Sequence, residues 1–190
     1  MQSDHLTDEE KKTLLRLARQ AMEGAVKKGK PPRLDPSTLT LRLKEQGASF
    51  VTLTIRGQLR GCIRSLQSYQ PLAEDVCEHA IAAALEDARF PPVDSKELNQ
   101  INIEVSRLTE PYPLEYSTAD DLIQKLRPNM DGVILSDGIR RATFLPQVWE
   151  KIPDPARFLE NLCYKMGRDP DAWRRKHLDV MIYQVEEFRE

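Results

Sequence analysis

Cys62 stands between two arginines at alternate positions, in the run Arg60-Gly61-Cys62-Ile63-Arg64. On an undistorted strand residues 60, 62 and 64 point to one face, which would set the thiol between two guanidinium groups. Nearby cations favour the thiolate, the form in which cysteine acts as a nucleophile or faces an anion. Gly61 leaves a second possibility open, because a glycine inside a strand often marks a bulge or a close backbone approach, and a bulge would reset the alternation. The plain alternative for Cys62 is a small buried hydrophobe. Cys77, beside Val76 and Ala80, and Cys163, beside Leu162 and Met166, lack flanking cations and read as packing residues.

Three further places carry polar groups that suit a site. In Asp87-Ala88-Arg89-Phe90-Pro91-Pro92 a charged pair meets an aromatic where a helix ends, and a cap with a Phe90 anchor is the simpler reading. In Thr143-Phe144-Leu145-Pro146-Gln147-Val148-Trp149 a strand leaves its sheet, and the Thr143 hydroxyl and Gln147 amide are candidates to face a pocket, beside packing by Phe144 and Trp149. Glu104 is an acid on the face opposite Ile101, Ile103 and Val105, so it is a candidate for proton transfer or simply a solvated carboxylate. No Cys-x-x-Cys pair occurs, and Cys77 and His79, two apart on a probable helix, point roughly 200° away from each other. No metal or cofactor is therefore expected, and Gly-rich nucleotide loops, a Gly-x-Ser-x-Gly elbow and a His-Glu-x-x-His pair are absent.

The elements that must position these groups follow from periodicity. Thr7 and Glu10 form a capping box ahead of Leu14, Ala18, Ala21 and Ala25, a helix ended by Lys27, Lys28 and Gly29. Phe50 to Ile55 alternates as a half-buried strand, a Gly57-Gln58 turn follows, and Leu59 to Leu66 returns as its partner. Pro71 opens a helix with Leu72, Val76, Ala80, Ala83 and Ala84 inward, stopping near Asp87. Ile101 to Ser106 is a strand, and Thr118 or Ser117 caps a short helix through Leu126. A second hairpin joins Val133–Leu135 to Ile139–Leu145 through Ser136-Asp137-Gly138. Phe158 to Met166 is a helix closed by Gly167, and Asp179 to Val185 is a C-terminal strand. This order lacks the regular strand-helix alternation of a doubly wound sheet, so a mixed α/β (α+β) fold with a largely antiparallel sheet packed with helices is expected.

The chain has 190 residues, 40% of them hydrophobic and 31% charged, enough for one globular domain spanning 1–190 with a real core. It has no apolar run of membrane-spanning length, and the acidic start Met1 to Glu10 lacks the pattern of a secretory signal. A cytoplasmic location is expected, in keeping with an odd count of widely spaced cysteines. Lys plus Arg number 28 against 30 Asp plus Glu, net charge -2, which argues against gripping long nucleic acid.

The sequence resembles the AMMECR domain proteins over almost its whole length. The resemblance is carried by Ala48-Ser49-Phe50-Val51-Thr52-Leu53, Gly57-Gln58-Leu59-Arg60-Gly61-Cys62-Ile63, Pro71-Leu72-Ala73-Glu74-Asp75-Val76, Arg89-Phe90-Pro91-Pro92-Val93, Ile103-Glu104-Val105-Ser106, Asp131-Gly132-Val133, the Thr143 to Trp149 run and Phe158-Leu159. It implies a mixed fold with a larger and a smaller lobe and a cleft near the Arg-Gly-Cys-Ile segment. It also implies partnership with a Memo-like protein and a radical-SAM protein. Carried over by motif, the site residues are Arg60, Gly61, Cys62, Arg89, Phe90, Glu104, Thr143 and Gln147. Arg64 stands where the family has glycine, Ala88 where it has proline, and Met166 where it has alanine.

Two functions are expected from this combination. In the first, a Cys62 thiolate activated by Arg60 and Arg64 acts on a small anionic substrate, with Glu104 moving a proton and Arg60, Gly61, Arg64, Arg89, Phe90, Thr143 and Gln147 binding. In the second, the chain is a binding or adaptor module for one of the implied partners, and Cys62 only packs.

Overall fold

A computed structural model describes residues 5–30, 33–64 and 68–190, with only the backbone of Arg64. The chain forms two compact units, Met1–Thr109 with Glu186–Glu190, and Glu110–Val185.

In the first unit α1 (Asp8–Lys28) begins at the expected capping box, Thr7 Oγ1 accepting the Glu10 N–H and Glu10 accepting the Thr7 N–H, and it ends at Gly29 in the left-handed region. α2 (Leu41–Lys44) leads into β1 (Gln46–Ile55), β2 (Gln58–Arg64), β3 (Gln70–Pro71), α3 (Leu72–Leu85) and β4 (Ile101–Leu108). The sheet order is β2-β1-β4-β9, where β9 is Val185–Arg189 near the end of the chain, with β3 also pairing the start of β1. The register pairs Ile55 with Gln58, so the tight turn is Arg56-Gly57, both at positive φ, rather than the expected Gly57-Gln58. Val51, Leu53, Ile103 and Val105 pack against Val76, Ala80 and Ala83 of α3 and Leu14 and Met22 of α1. The alanines of α3 leave room for the helix to approach the sheet closely.

The second unit holds β5 (Tyr112–Pro113), α4 (Ala119–Lys125), β6 (Gly132–Ser136), β7 (Arg141–Phe144), α5 (Pro155–Lys165), α6 (Ala172–Arg175) and β8 (Asp179–Tyr183), in a sheet ordered β5-β8-β6-β7. Its core carries Val133, Leu135, Val180 and Ile182 from the sheet against a stacked pair, Trp149 on Phe158 with ring centroids 3.7 Å apart. The return strand is shorter than the expected 139–145. Asp137 accepts the N–H groups of Ile139 and Arg140, which draws residues 137–140 into a loop and leaves Ile139 88% exposed.

The expected strand over 179–185 is two strands in different sheets, β8 and then β9 (Val185–Arg189). β9 escaped notice because it contains Glu186, a carboxylate buried among the Leu6 N–H, Lys11 and Arg107. The pairs β1–β2, β1–β3, β1–β4, β5–β8, β6–β7 and β6–β8 are all antiparallel, and the fold is the mixed α+β class anticipated from the element order. No helix among the described residues is long and apolar enough to cross a membrane. Among them, no group of three or more His, Cys, Asp or Glu side chains could hold a metal ion.

Candidate functional site

The geometry of the Arg60–Cys62 segment is set by one extra residue. Continuing the hairpin register from Ile55↔Gln58 and Thr54↔Leu59 would place Cys62 opposite Val51, on the face packed against α3. Instead Leu53 pairs with Gly61 and Thr52 with Cys62, leaving Arg60 as the unpaired residue of a bulge. Cys62 is thereby turned to the Thr52 face, away from the α1/α3 core. Gly61 takes the helix side, where a Cβ would lie 2.0 Å from the Ala83 carbonyl oxygen, so only glycine fits.

Arg60 therefore does not flank the thiol as simple alternation predicts. Its Nε and Nη2 each donate to the Glu97 carboxylate at 2.9 Å. This bidentate pair raises the Arg60 pKa and lowers that of Glu97, which also accepts the Asp94 N–H. The side chain of Arg64 lies outside the described residues.

Among the described residues, the cation beside Cys62 is Arg89. β2 is an edge strand, so the outward N–H and C=O of Cys62 need partners from outside the sheet. Asp87 Oδ2 accepts the Cys62 N–H at 2.8 Å, and Arg89 Nη2 donates to the Cys62 carbonyl at 3.3 Å. Arg89 also grips both Asp87 oxygens, at 2.9 and 2.7 Å. Its guanidinium is raised chiefly by the bond to Asp87 and to a lesser degree by the Cys62 side chain, against the cost of desolvation. The same Arg89 bond, helped by the Cys62 and Arg89 N–H groups, holds the Asp87 carboxyl well below the usual carboxylate range. Phe90 lies under both guanidinium groups, 5.7 Å from Arg89 and 6.0 Å from Arg60.

On the face of the sheet turned away from α1 and α3, Thr52 Oγ1 donates to Cys62 Sγ at 3.4 Å. Thr52 also lies directly opposite Glu104, so Cys62, Thr52 and Glu104 form one row across β2, β1 and β4. Cys62 and Glu104 are two strand spacings apart, about 10 Å. Glu104 is half-buried and has no hydrogen-bond or ion-pair partner among the described residues. The other two thiols differ. Burial pushes Cys77 up to about 11, with Glu74 adding to the rise, and burial also pushes up Cys163.

Thr143 and Gln147 belong to the second unit. The Thr143 hydroxyl bonds the Tyr183 hydroxyl at 3.1 Å, and its carbonyl accepts Lys165 Nζ at 2.8 Å. Gln147 is exposed in the short turn Pro146–Glu150.

Sequence reasoning missed Thr52 and Glu97, which reach the motif only through the bulged register. It also missed a buried cluster of Ser49, Asp75 and His79. Its residue types resemble a hydrolytic triad, but Asp75 Oδ2 itself accepts the Ser49 hydroxyl at 2.6 Å and sits 3.2 Å from His79 Nδ1. The carboxylate, not the imidazole, holds the hydroxyl proton, and none of the three is more than 4% exposed. This cluster ties β1 to α3.

A two-unit α+β protein, with a glycine-dependent bulge that presents a cysteine on an edge strand, is the class that fold and site define. The chain belongs to the AMMECR1 family, whose match covers residues 15–188 and so spans both units. A protein of Thermofilum pendens is 38% identical over 203 positions, covering 97% of this chain and 92% of the relative. A protein of Methanothermobacter thermautotrophicus is also 38% identical, covering 97% and 96%. Among solved structures, the crystal structure of uncharacterized protein PH0010 from Pyrococcus horikoshii is similar with a TM-score of 0.75 at 35% identity, covering 97% of this chain and 93% of that one.

Proposed function

We propose that the protein is an enzyme or enzyme component that binds a small substrate over Thr52, with Cys62 as nucleophile and Glu104 as the proton-transfer group. The observation that carries this reading is the row itself. It holds a thiol with a hydroxyl donor on its sulfur and a guanidinium on its backbone carbonyl, and, about 10 Å away on the same face, a half-buried carboxylate with no hydrogen-bond or ion-pair partner among the described residues. The Cys62 thiolate, its proton already given to solvent, forms a bond from Sγ to an electrophilic carbon as the bond to the leaving group breaks and that group takes a proton from water. Glu104 then takes a proton from the water molecule that cleaves the Sγ–carbon bond, releasing the product and the thiolate. Both described arginines of the motif are neutralised by Glu97 and Asp87, so an anionic substrate would depend on charge that these two do not leave free. In this reading the protein works in the cytoplasm alongside the Memo-like and radical-SAM proteins that the family resemblance implies.

The test is intact-protein mass spectrometry after incubation with a small-molecule extract of cells. The Glu104→Gln variant should accumulate a mass adduct that peptide mapping places on Cys62, and Cys62→Ser should acquire none. If Glu104→Gln stays unmodified, or Cys62→Ser gains the same adduct, the adaptor role replaces the catalytic one.

A further inference from the structure

A cavity of about 400 Å³, lined wholly by residues of the second unit, opens on the face of its sheet turned away from that unit's core. This size suits a small organic ligand. Its floor contains a second row across three strands, Arg141 opposite Ser136 and Ser136 opposite Asp179. Neither the Arg141 nor the Asp179 side chain has a hydrogen-bond or ion-pair partner among the described residues. Ser136 Oγ accepts the Gly138 N–H at 3.2 Å, which leaves the hydroxyl proton free to donate.

An aromatic wall stands beside this row. The rings of Tyr116 and His177 stack with centroids 4.3 Å apart. Tyr116 is fixed in place because its hydroxyl donates to the Leu178 carbonyl at 2.9 Å and accepts the Leu178 N–H at 2.8 Å. Ile134 and Met181 add apolar surface.

The charges decide the ligand class. Besides Arg141 and Asp179, the titratable side chains lining the cavity are Glu115, Tyr116 and His177. A simple anion would find one guanidinium but meet two carboxylates, and a simple cation would meet Arg141. A molecule carrying both signs satisfies each. Arg141 and Asp179 have Cα atoms about 10 Å apart, a distance their side chains span around one headgroup. The geometry points to a binding site for a small zwitterion with an apolar or flat body, the class of an apolar or aromatic α-amino acid. Its carboxylate lies on Arg141, its ammonium on Asp179 and its body against the Tyr116–His177 wall. This site shares no residue with the Cys62 row and goes beyond the function proposed for it.

The test uses the full chain and a panel of free α-amino acids, screened by saturation-transfer NMR and followed by calorimetry. At least one apolar or aromatic amino acid should bind saturably. Its N-acetylated form, an anion, and its amide form, a cation, should each bind at least about tenfold more weakly. Arg141→Ala and Asp179→Asn should each lower affinity for the parent amino acid by about tenfold, and Arg141→Lys should retain part of it. Both residues are exposed, so an unchanged melting temperature in each variant separates loss of binding from loss of fold. The proposal is overturned if no member of the panel binds up to about 10 mM. It is equally overturned if a capped form binds as well as its parent, or if the Arg141→Ala and Asp179→Asn variants bind as the native protein does.

Discussion

The carboxylate of Asp87 accepts the backbone N–H of Cys62 at 2.8 Å, joining the end of α3 to the outer edge of β2. Arg89 completes the clamp from the carbonyl side while gripping Asp87 itself. The position of the thiol thus depends on an ion pair that does not belong to its own strand. Asp87→Asn should lower stability by about 1–2 kcal/mol and speed hydrogen exchange at the Cys62 amide, measured by denaturant melts and NMR.

This clamp should also depend on pH. The Asp87 carboxyl titrates lower in the folded protein than in the unfolded chain, so its contribution is fully present above about pH 4 and is lost as pH falls through the folded value. Stability should therefore fall with acidification below about pH 4, and Asp87→Asn should flatten part of that slope. An unchanged slope in the variant would remove Asp87 from the account.

Gly61→Ala should cost about 2–3 kcal/mol, because the new methyl meets a backbone carbonyl of α3 that cannot move alone. Thermal melts of the two proteins measure this directly. A neutral substitution would mean that β2 and α3 can separate without loss.

Asp75→Ala should cost about 3 kcal/mol, since it strands the buried Ser49 hydroxyl, the Ser49 N–H and His79 together. Equilibrium unfolding in urea checks the magnitude.

What could be read in the chain beforehand was local. Thr7 and Glu10 announced α1, and Val51, Leu53 and Ile55 announced β1, because caps and period-two alternation lie within a few neighbouring residues. The family resemblance grouped Arg60, Gly61, Cys62, Arg89, Phe90, Glu104, Thr143 and Gln147; Arg89 bonds the Cys62 carbonyl and Phe90 lies under Arg60 and Arg89, whereas Thr143 and Gln147 belong to the second unit. The bulge at Arg60 was not legible, because what enforces it is the Ala83 carbonyl on another element. The destination of Arg60 was hidden for the same reason, since Glu97 lies 37 residues away. β9 was hidden by Glu186, whose burial depends on partners from α1 and β4.

The corrected role of Arg60 has its own consequence. Arg60→Ala should destabilise the protein by about 1 kcal/mol through loss of the Glu97 pair, yet leave the alkylation rate of Cys62 within about twofold of native. Arg89→Ala should change that rate more, because it removes the bond to the Cys62 carbonyl and the grip on Asp87 that together fix the segment carrying the thiol.

The measurement that bears most directly on the Cys62–Thr52–Glu104 row is the order in which the three cysteines of the native protein react with iodoacetamide at neutral pH, resolved by peptide mapping. Cys62 should react first and at least about tenfold faster than Cys77, whose thiol is pushed up to about 11, and Cys163, which is fully buried. Thr52→Val should slow it. Reaction at Cys77 or Cys163 ahead of Cys62, or a Cys62 that labels only after unfolding, would contradict the assignment of this row as the reactive site.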